Sequence, residues 1–255
     1  MNKTNIEYLD YTWNPVAMRC TPVSEGCTNC WHIKMCDRLA NNPKIDKYER
    51  RSYQGIEINL KLKELEAPLK RKKPAVIGVQ FMGDLFHEDV GLHEIFQVCK
   101  VMREAKQHTF LLLTKRPGRM LELFGSGTPL PNVWLGVTTE NQQRADERIP
   151  ILLQIPAAKH FISVEPMLGP IDELYEYFQW KQLDGVFAGC ETGPGRRSAK
   201  IQWFRDLKNQ CVDNGIPFFL KRMFCVTGPA NDRKIGIVKM PELDGKIYDQ
   251  MPMRE

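Results

Sequence analysis

The sequence predicts an α/β protein in which parallel strands alternate with helices. From residue 75 onward, short apolar runs rich in β-branched and aromatic residues alternate with stretches of helical periodicity. The runs begin about 24 to 34 residues apart, the length of one βα unit. They are apolar on both faces, which is typical of parallel strands covered on both sides. Six or seven such strands predict a parallel (β/α) barrel, partial or closed, with a doubly wound open sheet as the alternative.

Seven segments are predicted as strands. Six of them form the alternating pattern: 75–82, 109–114, 133–138, 160–164, 185–189 and 217–220. The seventh lies within residues 7–13 and directly precedes a loop rich in cysteine and in turn-forming residues.

Two of the intervening helices can be predicted from their periodicity. The first has five apolar residues on one face: Leu92, Ile95, Phe96, Cys99 and Met102. Asp89 precedes it as a candidate N-cap. The second repeats apolar residues every fourth position, at Trp203, Leu207 and Cys211. Gly215 follows as a C-terminal stop signal, and the two cysteines on these faces are predicted to pack in the core.

The chain is predicted to form one barrel domain over residues 1–255. Within it we expect an N-terminal strand and cysteine loop at 1–50, an outer helix and loop at 51–74, and the βα units at 75–224. Residues 225–255 are predicted to be a loop-like tail. Its turn signals are Gly228-Pro229, Pro241 and Asp244-Gly245.

Composition favours a cytoplasmic protein with no membrane partner. Hydrophobic residues make up 42% of the chain and charged residues 26%, which is ordinary for a globular protein. No apolar run approaches membrane-spanning length, and residues 1–10 lack the apolar stretch of a signal peptide. The eight cysteines in such a chain are not expected to form a disulfide framework. The net charge of +5 is compatible with an anionic substrate.

The three cysteines Cys20, Cys27 and Cys30 predict a metal centre, because they share one loop with the spacing Cys-x6-Cys-x2-Cys. Two kinds of centre remain open on spacing alone. An iron–sulfur cluster held by three cysteines keeps one iron free for an exchangeable ligand. Structural zinc needs four ligands, and His32 or Cys36 would complete that set.

Charged residues follow almost every predicted strand, where a barrel places its active site. The catalytic candidates are Asp84, Lys115, Glu165 and Glu191. Basic pairs at three strand ends predict a positive rim: Lys115-Arg116, Arg196-Arg197 and Lys221-Arg222. For the acids the alternative role is capping of loop amides, and His87 is either a proton carrier or a structural residue. Cys190 is a small strand-end residue or, alternatively, a catalytic thiol.

Seven stretches of the chain form a recognisable set of motifs: TWNPVAMRCTPVSEGCTNCW (12–31), MGDLFHEDV (82–90), FLLLTKRPGRM (110–120), WLGVTTENQQRADERIP (134–150), FISVEPMLGPID (161–172), GCETGPGRR (189–197) and LDGKIYDQMP (243–252). Together they resemble the phage-associated three-cysteine-motif family, which is related to radical S-adenosylmethionine enzymes. They span nearly the whole chain, although the cysteine spacing departs from the Cys-x3-Cys-x2-Cys usual in radical enzymes.

The resemblance implies a radical-enzyme barrel with a 4Fe-4S cluster on Cys20, Cys27 and Cys30. That cluster would reduce S-adenosylmethionine and release a 5′-deoxyadenosyl radical, so an electron donor is an expected partner. The residues implied in holding S-adenosylmethionine are Trp31, Gly83, Asp84, Thr138 and Glu140. The substrate expected from the positive rim and the phage setting is nucleic acid or a nucleotide. The alternative is a non-enzymatic, zinc-stabilised barrel that binds nucleic acid or a protein partner.

Overall fold

A computed structural model describes residues 1–174, 176–177, 183–227 and 234–252. Over these residues the protein is mixed α/β with a large, mostly parallel sheet, which confirms the predicted fold class. The chain divides into two compact units. The first unit comprises Met1–Leu135 and Gln154–Ala158, and the second comprises Gly136–Leu153 and Lys159–Glu255.

The first unit contains six complete strands and six helices. The strands are β1 (Asn2–Lys3), β2 (Tyr11–Trp13), β3 (Val16–Ala17), β4 (Asn59–Leu60), β5 (Val76–Val79) and β6 (Thr109–Thr114). The helices are α1 (Trp31–Ala40), α2 (Lys47–Tyr53), α3 (Leu62–Leu65), α4 (Ala67–Lys70), α5 (Leu92–Glu104) and α6 (Pro117–Phe124), with a 3₁₀ turn at Glu25–Cys27.

Parallel pairing brings three strand ends of the first unit to one edge. β2 pairs with β5 and β5 pairs with β6, with Trp13 opposite Val79 and Val79 opposite Leu112. All four residues of β5 are buried, as expected for a parallel strand covered on both faces. The loops that follow β2, β5 and β6 therefore begin side by side.

The second unit repeats the alternation of strands and helices. β7 (Val133–Thr138) begins in the first unit and ends in the second. The remaining elements are α7 (Gln142–Leu152), β8 (Lys159–Val164), β9 (Gly185–Gly189), α8 (Ile201–Asp213), β10 (Phe218–Thr227), β11 (Lys234–Lys239), β12 (Glu242–Leu243) and β13 (Lys246–Ile247). β8, β9 and β10 are parallel neighbours, and β11 is antiparallel to β10.

The predicted strands are confirmed in position but not always in length. The runs 109–114, 133–138 and 185–189 coincide with β6, β7 and β9. The predicted strand 75–82 ends early, because Gln80 adopts a left-handed backbone conformation with φ of 54°. The predicted strand 217–220 instead extends through Thr227.

The periodicity of α5 was partly misleading. Asp89 does not cap this helix; Gly91 occupies the N-cap position and makes no side-chain bond. Phe96 is 61% exposed and Cys99 is only half-buried. The predicted apolar face is therefore buried at Ile95 and Met102 but not along its whole length. In α8 the prediction is confirmed, because Cys211 is fully buried and Gly215 follows with φ of 68°.

The prediction of a loop-like tail is wrong for the part of the tail that the structure describes. β11 forms a six-residue antiparallel pairing with β10, and β12 and β13 form a hairpin. The turn signal at Asp244-Gly245 is confirmed, since both residues have positive φ. The signal at Gly228-Pro229 lies outside the described residues. No helix in the described ranges is both long and apolar enough to cross a membrane.

Candidate functional site

The cysteine loop lies between β3 and α1 in the first unit. Cys20, Cys27 and Cys30 are each partly exposed, and none is in a disulfide. Turn-type hydrogen bonds shape the loop, with the Cys27 amide donating to the Ser24 carbonyl at 2.9 Å and the Cys30 amide to the Cys27 carbonyl at 3.2 Å. The turn-forming residues of this stretch therefore fold it into a compact loop that carries three thiols.

The chemistry of this donor set fits a cluster held by three thiolates. Among the described residues, no three His, Cys, Asp or Glu side chains converge on a metal position. Burial, followed by the nearby Asp84 charge, raises the pKa of Cys20 to about 11, whereas Arg116 opposes this shift. Because metal ligands must be deprotonated, binding at Cys20 would release a proton.

Cys36 is set apart from these three cysteines because it lies in the core. It packs with Ala17 and Tyr53 and is fully buried. Its thiol donates to the Met18 carbonyl at 3.5 Å and lies 3.4 Å from His32 Nε2. Burial raises the pKa of Cys36 to about 11 and lowers that of His32 to about 4, so both groups are neutral near pH 7.

Gln80 fastens the start of this loop to the end of β5. Its side-chain amide accepts from the Val16 amide at 3.1 Å and donates to the Val16 carbonyl at 2.8 Å and the Met82 carbonyl at 2.7 Å. Gly83 has φ of 115°, and a Cβ there would lie 2.7 Å from Met18 Sδ. Only glycine therefore lets this turn approach the chain two residues before Cys20.

Asp84 is 5% exposed, and hydrogen-bond donors already surround its carboxylate. Thr114 Oγ1 lies 2.7 and 2.9 Å from its two oxygens, and the Phe86 amide donates at 3.0 Å. The Lys115 amide donates at 3.2 Å and Arg116 Nη1 at 3.4 Å. Four donors match the roughly four acceptor positions of a carboxylate. The ammonium group of S-adenosylmethionine would have to displace one of these donors. The predicted role of Asp84 in holding that molecule stays a prediction.

Arg116 reaches from the end of β6 to the cysteine loop. Its Nε donates to Glu88 at 2.8 Å, and its Nη1 lies 3.7 Å from Cys20 Sγ. Its Nη2 donates to the carbonyl of Thr21 at 3.1 Å and to Thr21 Oγ1 at 2.8 Å. The side chain is only 9% exposed, so this member of the predicted rim is turned into the protein.

His87 completes the contact with the loop and has a structural position. Its ring is fully buried, with Nε2 2.9 Å from Thr21 Oγ1 and Nδ1 accepting from the Asp89 amide at 3.2 Å. Burial, and then the Arg116 charge, lowers the pKa of His87, so the ring is neutral at pH 7. Nε2 also lies 3.2 Å from the Thr21 amide, so the ring contacts both the backbone and the side chain of the residue after Cys20.

In the second unit, Thr138 and Glu140 lie at the end of β7. Glu140 is fully buried and accepts from Arg148 Nη1 at 2.9 Å; the same nitrogen donates to the Thr138 carbonyl at 2.7 Å. Thr139 Oγ1 is buried and has no hydrogen-bond partner among the described residues. Glu140, one of the residues implied in holding S-adenosylmethionine, thus has a buried counterion on α7 that the sequence did not indicate.

Glu165 follows β8 and is paired with Lys221. The Lys221 ammonium lies 2.8 Å from both carboxylate oxygens. Lys221 falls at an irregularity in β10, where the register with β9 shifts between Leu220 and Arg222. Such a bulge re-aims a side chain. Gly189 leaves room for the acid, because a Cβ there would lie 3.2 Å from Glu165 Cδ.

Glu191 is paired with Arg197 across a short loop. The Arg197 amide and Nε donate to one Glu191 oxygen at 2.7 and 3.0 Å, and Nη2 donates to the other at 2.5 Å. Arg196 is exposed and reaches the Gly193 carbonyl at 3.4 Å. Cys190 is fully buried between these strand ends, as expected for a small residue in that position.

Sequence reasoning found the cysteines and the strand-end acids but missed most of their partners. The missed residues are Thr21, Gln80, Glu88, Thr114 and Arg148. Trp31, which the resemblance implies in holding S-adenosylmethionine, is 51% exposed at the start of α1. The first unit brings Asp84 and Cys20 to the same arginine, and the second unit pairs each strand-end acid with a base.

Comparison with known proteins gives one family match. The model of a family described as "Protein of unknown function (DUF5131)" matches residues 3–252. Neither the curated proteins nor the solved structures contain a match.

Proposed function

We propose that this chain, which belongs to the DUF5131 family, is a cytoplasmic enzyme that carries a 4Fe-4S cluster on Cys20, Cys27 and Cys30. The observation that carries the proposal is the separation of the cysteines. Three thiols share one partly exposed loop, while Cys36 is withdrawn into the core. A set of three thiolates suits a cluster with an open iron better than it suits structural zinc.

The co-substrate we propose is S-adenosylmethionine, as the resemblance to radical enzymes implies. When bound, the cluster supplies the electron that cleaves this molecule to a 5′-deoxyadenosyl radical. An electron-donor protein would then be a partner. The parallel sheet is compatible with the partial (β/α) barrel that such enzymes use, and we propose that architecture.

The residues of the first unit would hold the loop and its ligands in place. Gln80 and Gly83 position the base of the loop, and Asp84 fixes Arg116 against it. Trp31 is exposed beside the last cysteine and is available to stack on an adenine. Lys115 contributes its amide to Asp84.

The residues of the second unit are better suited to acid–base roles. Glu165 and Glu191 each face one basic side chain, so each could pass a proton if that partner moved. Glu140 is more deeply enclosed with Arg148, a setting that suits positioning rather than proton transfer. We propose that Glu165 is the principal acid–base residue, because both of its oxygens contact a single ammonium.

The substrate class we propose is nucleic acid or a nucleotide. The support is that basic residues follow strands in both units, and that Arg196 in the second unit is exposed. Three of the six predicted rim residues already have acidic partners: Arg116, Arg197 and Lys221. This favours a small number of phosphate contacts, so binding should weaken only modestly with salt, with a slope of about −0.7 to −0.9 per phosphate.

The test is anaerobic reconstitution with iron and sulfide, followed by metal analysis and an assay for reductive cleavage of S-adenosylmethionine. Replacing Cys20, Cys27 or Cys30 by Ala should abolish cluster absorbance and iron retention. Cys36→Ala should retain the cluster, and Cys99→Ala on α5 serves as a control for loss of a half-buried thiol elsewhere. Loss of the cluster in Cys36→Ala, with its fold intact, would sink the three-ligand proposal.

A zinc-stabilised binding module is the second candidate, favoured by the 3.4 Å approach of Cys36 to His32 directly after the loop. Under this proposal the aerobically purified protein is colourless and contains one zinc. Either Cys36→Ala or His32→Ala should then lower zinc content as strongly as Cys30→Ala does, because one of the two supplies the fourth ligand. The two candidates are therefore separated by the metal content and by these two variants together.

A further inference from the structure

We infer that Arg116 is a positioning residue that latches the cysteine loop to the end of β6 and donates an N–H to the sulfur of Cys20. The latch means the contacts of Arg116 with Thr21 and Cys20. It holds the loop in place before any metal arrives, and it raises the reduction potential of a cluster bound there. Only the statement about potential rests on the proposed function.

The first argument is that every donor of the guanidinium is used. An arginine has five N–H groups in a fixed fork. Here they meet five acceptors: Glu88 Oε2, Cys20 Sγ, Asp84 Oδ2, the Thr21 carbonyl and Thr21 Oγ1. Two of the five are on the residue that follows Cys20. A side chain engaged in this way is not available to bind phosphate unless the latch opens.

The second argument is that the latch is anchored from behind. The Arg116 amide donates to Thr114 Oγ1 at 2.9 Å, and Thr114 in turn bonds Asp84. Pro117 directly follows at the first position of α6 and restricts the backbone further. The backbone that carries the guanidinium is therefore fixed to β6, so its contacts restrain the loop rather than follow it.

The third argument concerns Thr21, which is held from more than one side. Its hydroxyl accepts from Arg116 Nη2 at 2.8 Å, donates to Glu88 Oε1 at 3.2 Å and lies 2.9 Å from His87 Nε2. Three side chains therefore contact this one hydroxyl. Thr21 is thus the point at which the loop is fastened.

The consequence for a bound cluster follows from charge. Hydrogen bonds to cluster sulfurs and a nearby positive charge stabilise the reduced, more negative form and so raise the reduction potential. Removing the guanidinium also leaves Asp84 and Glu88 without their counterion. Both changes favour the oxidised form, so the potential should fall when Arg116 is neutralised.

The experiment begins with metal-free protein, so that it does not depend on the cluster. Amide hydrogen exchange measured by mass spectrometry over residues 18–30 reports whether the loop opens. Arg116→Gln should speed exchange there at least tenfold. The matched control is Arg119→Gln on the same helix, whose side chain bonds the carbonyls of Glu88 and Val90 but not the loop. It should leave exchange over 18–30 unchanged.

Equal exchange over 18–30 in Arg116→Gln and wild type would overturn the latch, as would an equal acceleration by Arg119→Gln. Thr21→Val provides the same test if Arg116→Gln does not fold, because it keeps the side-chain volume and removes only the hydroxyl. Faster exchange in Thr21→Val supports the latch, and unchanged exchange overturns it.

The second arm uses reconstituted protein and a redox titration followed by electron paramagnetic resonance. The midpoint potential should be more negative in Arg116→Gln than in wild type and Arg119→Gln. An unchanged or more positive potential overturns the role in tuning. If wild-type protein binds no cluster, the proposed function fails and the tuning role fails with it, while the exchange measurement still decides the latch.

Discussion

The two units use charged strand-end residues in different ways. In the first unit, Arg116 is shared among Asp84, Glu88 and the cysteine loop, so one base serves several acceptors. In the second unit, Glu165 meets Lys221 and Glu191 meets Arg197, each as a separate pair. Removing one member of a shared network weakens several contacts together, whereas removing one member of a separate pair removes only that contact.

This difference also ranks the candidate acids. Asp84 is saturated by four donors and could accept a proton only by losing several contacts. Glu165 contacts the Lys221 ammonium through both oxygens, and Glu191 accepts from the Arg197 side chain and amide. Acid–base chemistry is therefore better placed in the second unit, and the first unit is built to hold a loop still.

The largest expected effect comes from breaking the network at Asp84. Asp84→Ala should destabilise the protein by about 3–5 kcal/mol, because it removes the acceptor of the buried Thr114 hydroxyl and of two backbone amides and breaks the Arg116–Asp84 pair. Denaturant unfolding measures this change. Asp89→Ala is the control, since that side chain is 70% exposed, and it should change stability by less than about 0.5 kcal/mol. A similar loss of stability in the two variants would show that the network around Asp84 contributes no more than an exposed acid does.

A double-mutant cycle on Glu165 and Lys221 sharpens the description of the second unit. Each of Glu165→Gln and Lys221→Met should cost about 1.5–3 kcal/mol, the usual value for hydrogen bonds to charged groups. The double variant should lose less than the sum, because the two single losses remove the same interaction. Additive losses would mean that the contact between the two side chains does not stabilise the fold.

The pH dependence of stability tests the buried His32 beside the cysteine loop. Burial lowers the pKa of His32 to about 4, so the ring stays neutral in the folded protein down to about that pH. Between pH 4 and the ordinary histidine pKa of about 6.5, the ring gains a proton when the protein unfolds. This contribution is fully present above about pH 6.5 and is lost as pH falls towards 4, by about 3 kcal/mol in total. Across this range, the free energy of unfolding of the metal-free protein should change more steeply with pH than that of His32→Gln. Parallel curves would refute the assignment.

The smallest effect is expected at Gly189, which makes room for Glu165. Gly189→Ala should cost about 1–3 kcal/mol, because the new Cβ must push the carboxylate away from Lys221. Gly118→Ala is the matched control, since its Cβ meets nothing within 4 Å and lies in α6. It should stabilise by about 0.5–1 kcal/mol through helix propensity. The same sign of change at both positions would argue against a packing role for Gly189.

The sequence predicted most strands because their apolar character does not depend on distant contacts. It failed where tertiary contacts decide. Gln80 ends β5 early by bonding the backbone of β3, and no local pattern announces a contact across 64 residues. The apolar tail residues Ile237 and Val238 pair with β10, which only the fold reveals.

The residue types of the candidate site were visible in the sequence, but the hydrogen-bond partners of those residues were not. Cysteine spacing and strand-end acids are visible as residue types at particular positions. Arg116 was predicted to lie on a basic rim, yet it reaches Cys20 across 96 residues and is buried there. Arg148 lies on a helix whose charges look solvated in the sequence, and only burial identifies it as the counterion of Glu140.

Gln80 has a consequence for how this protein can vary. Its one side chain satisfies both backbone groups of Val16 and the carbonyl of Met82, much as a strand residue would. The side-chain amide of Gln80 therefore fixes the alignment of the segment before the cysteines relative to the segment after β5. An insertion or deletion in either segment would shift that registration. We expect length changes to be rejected here and tolerated in the exposed stretch around residues 125–129.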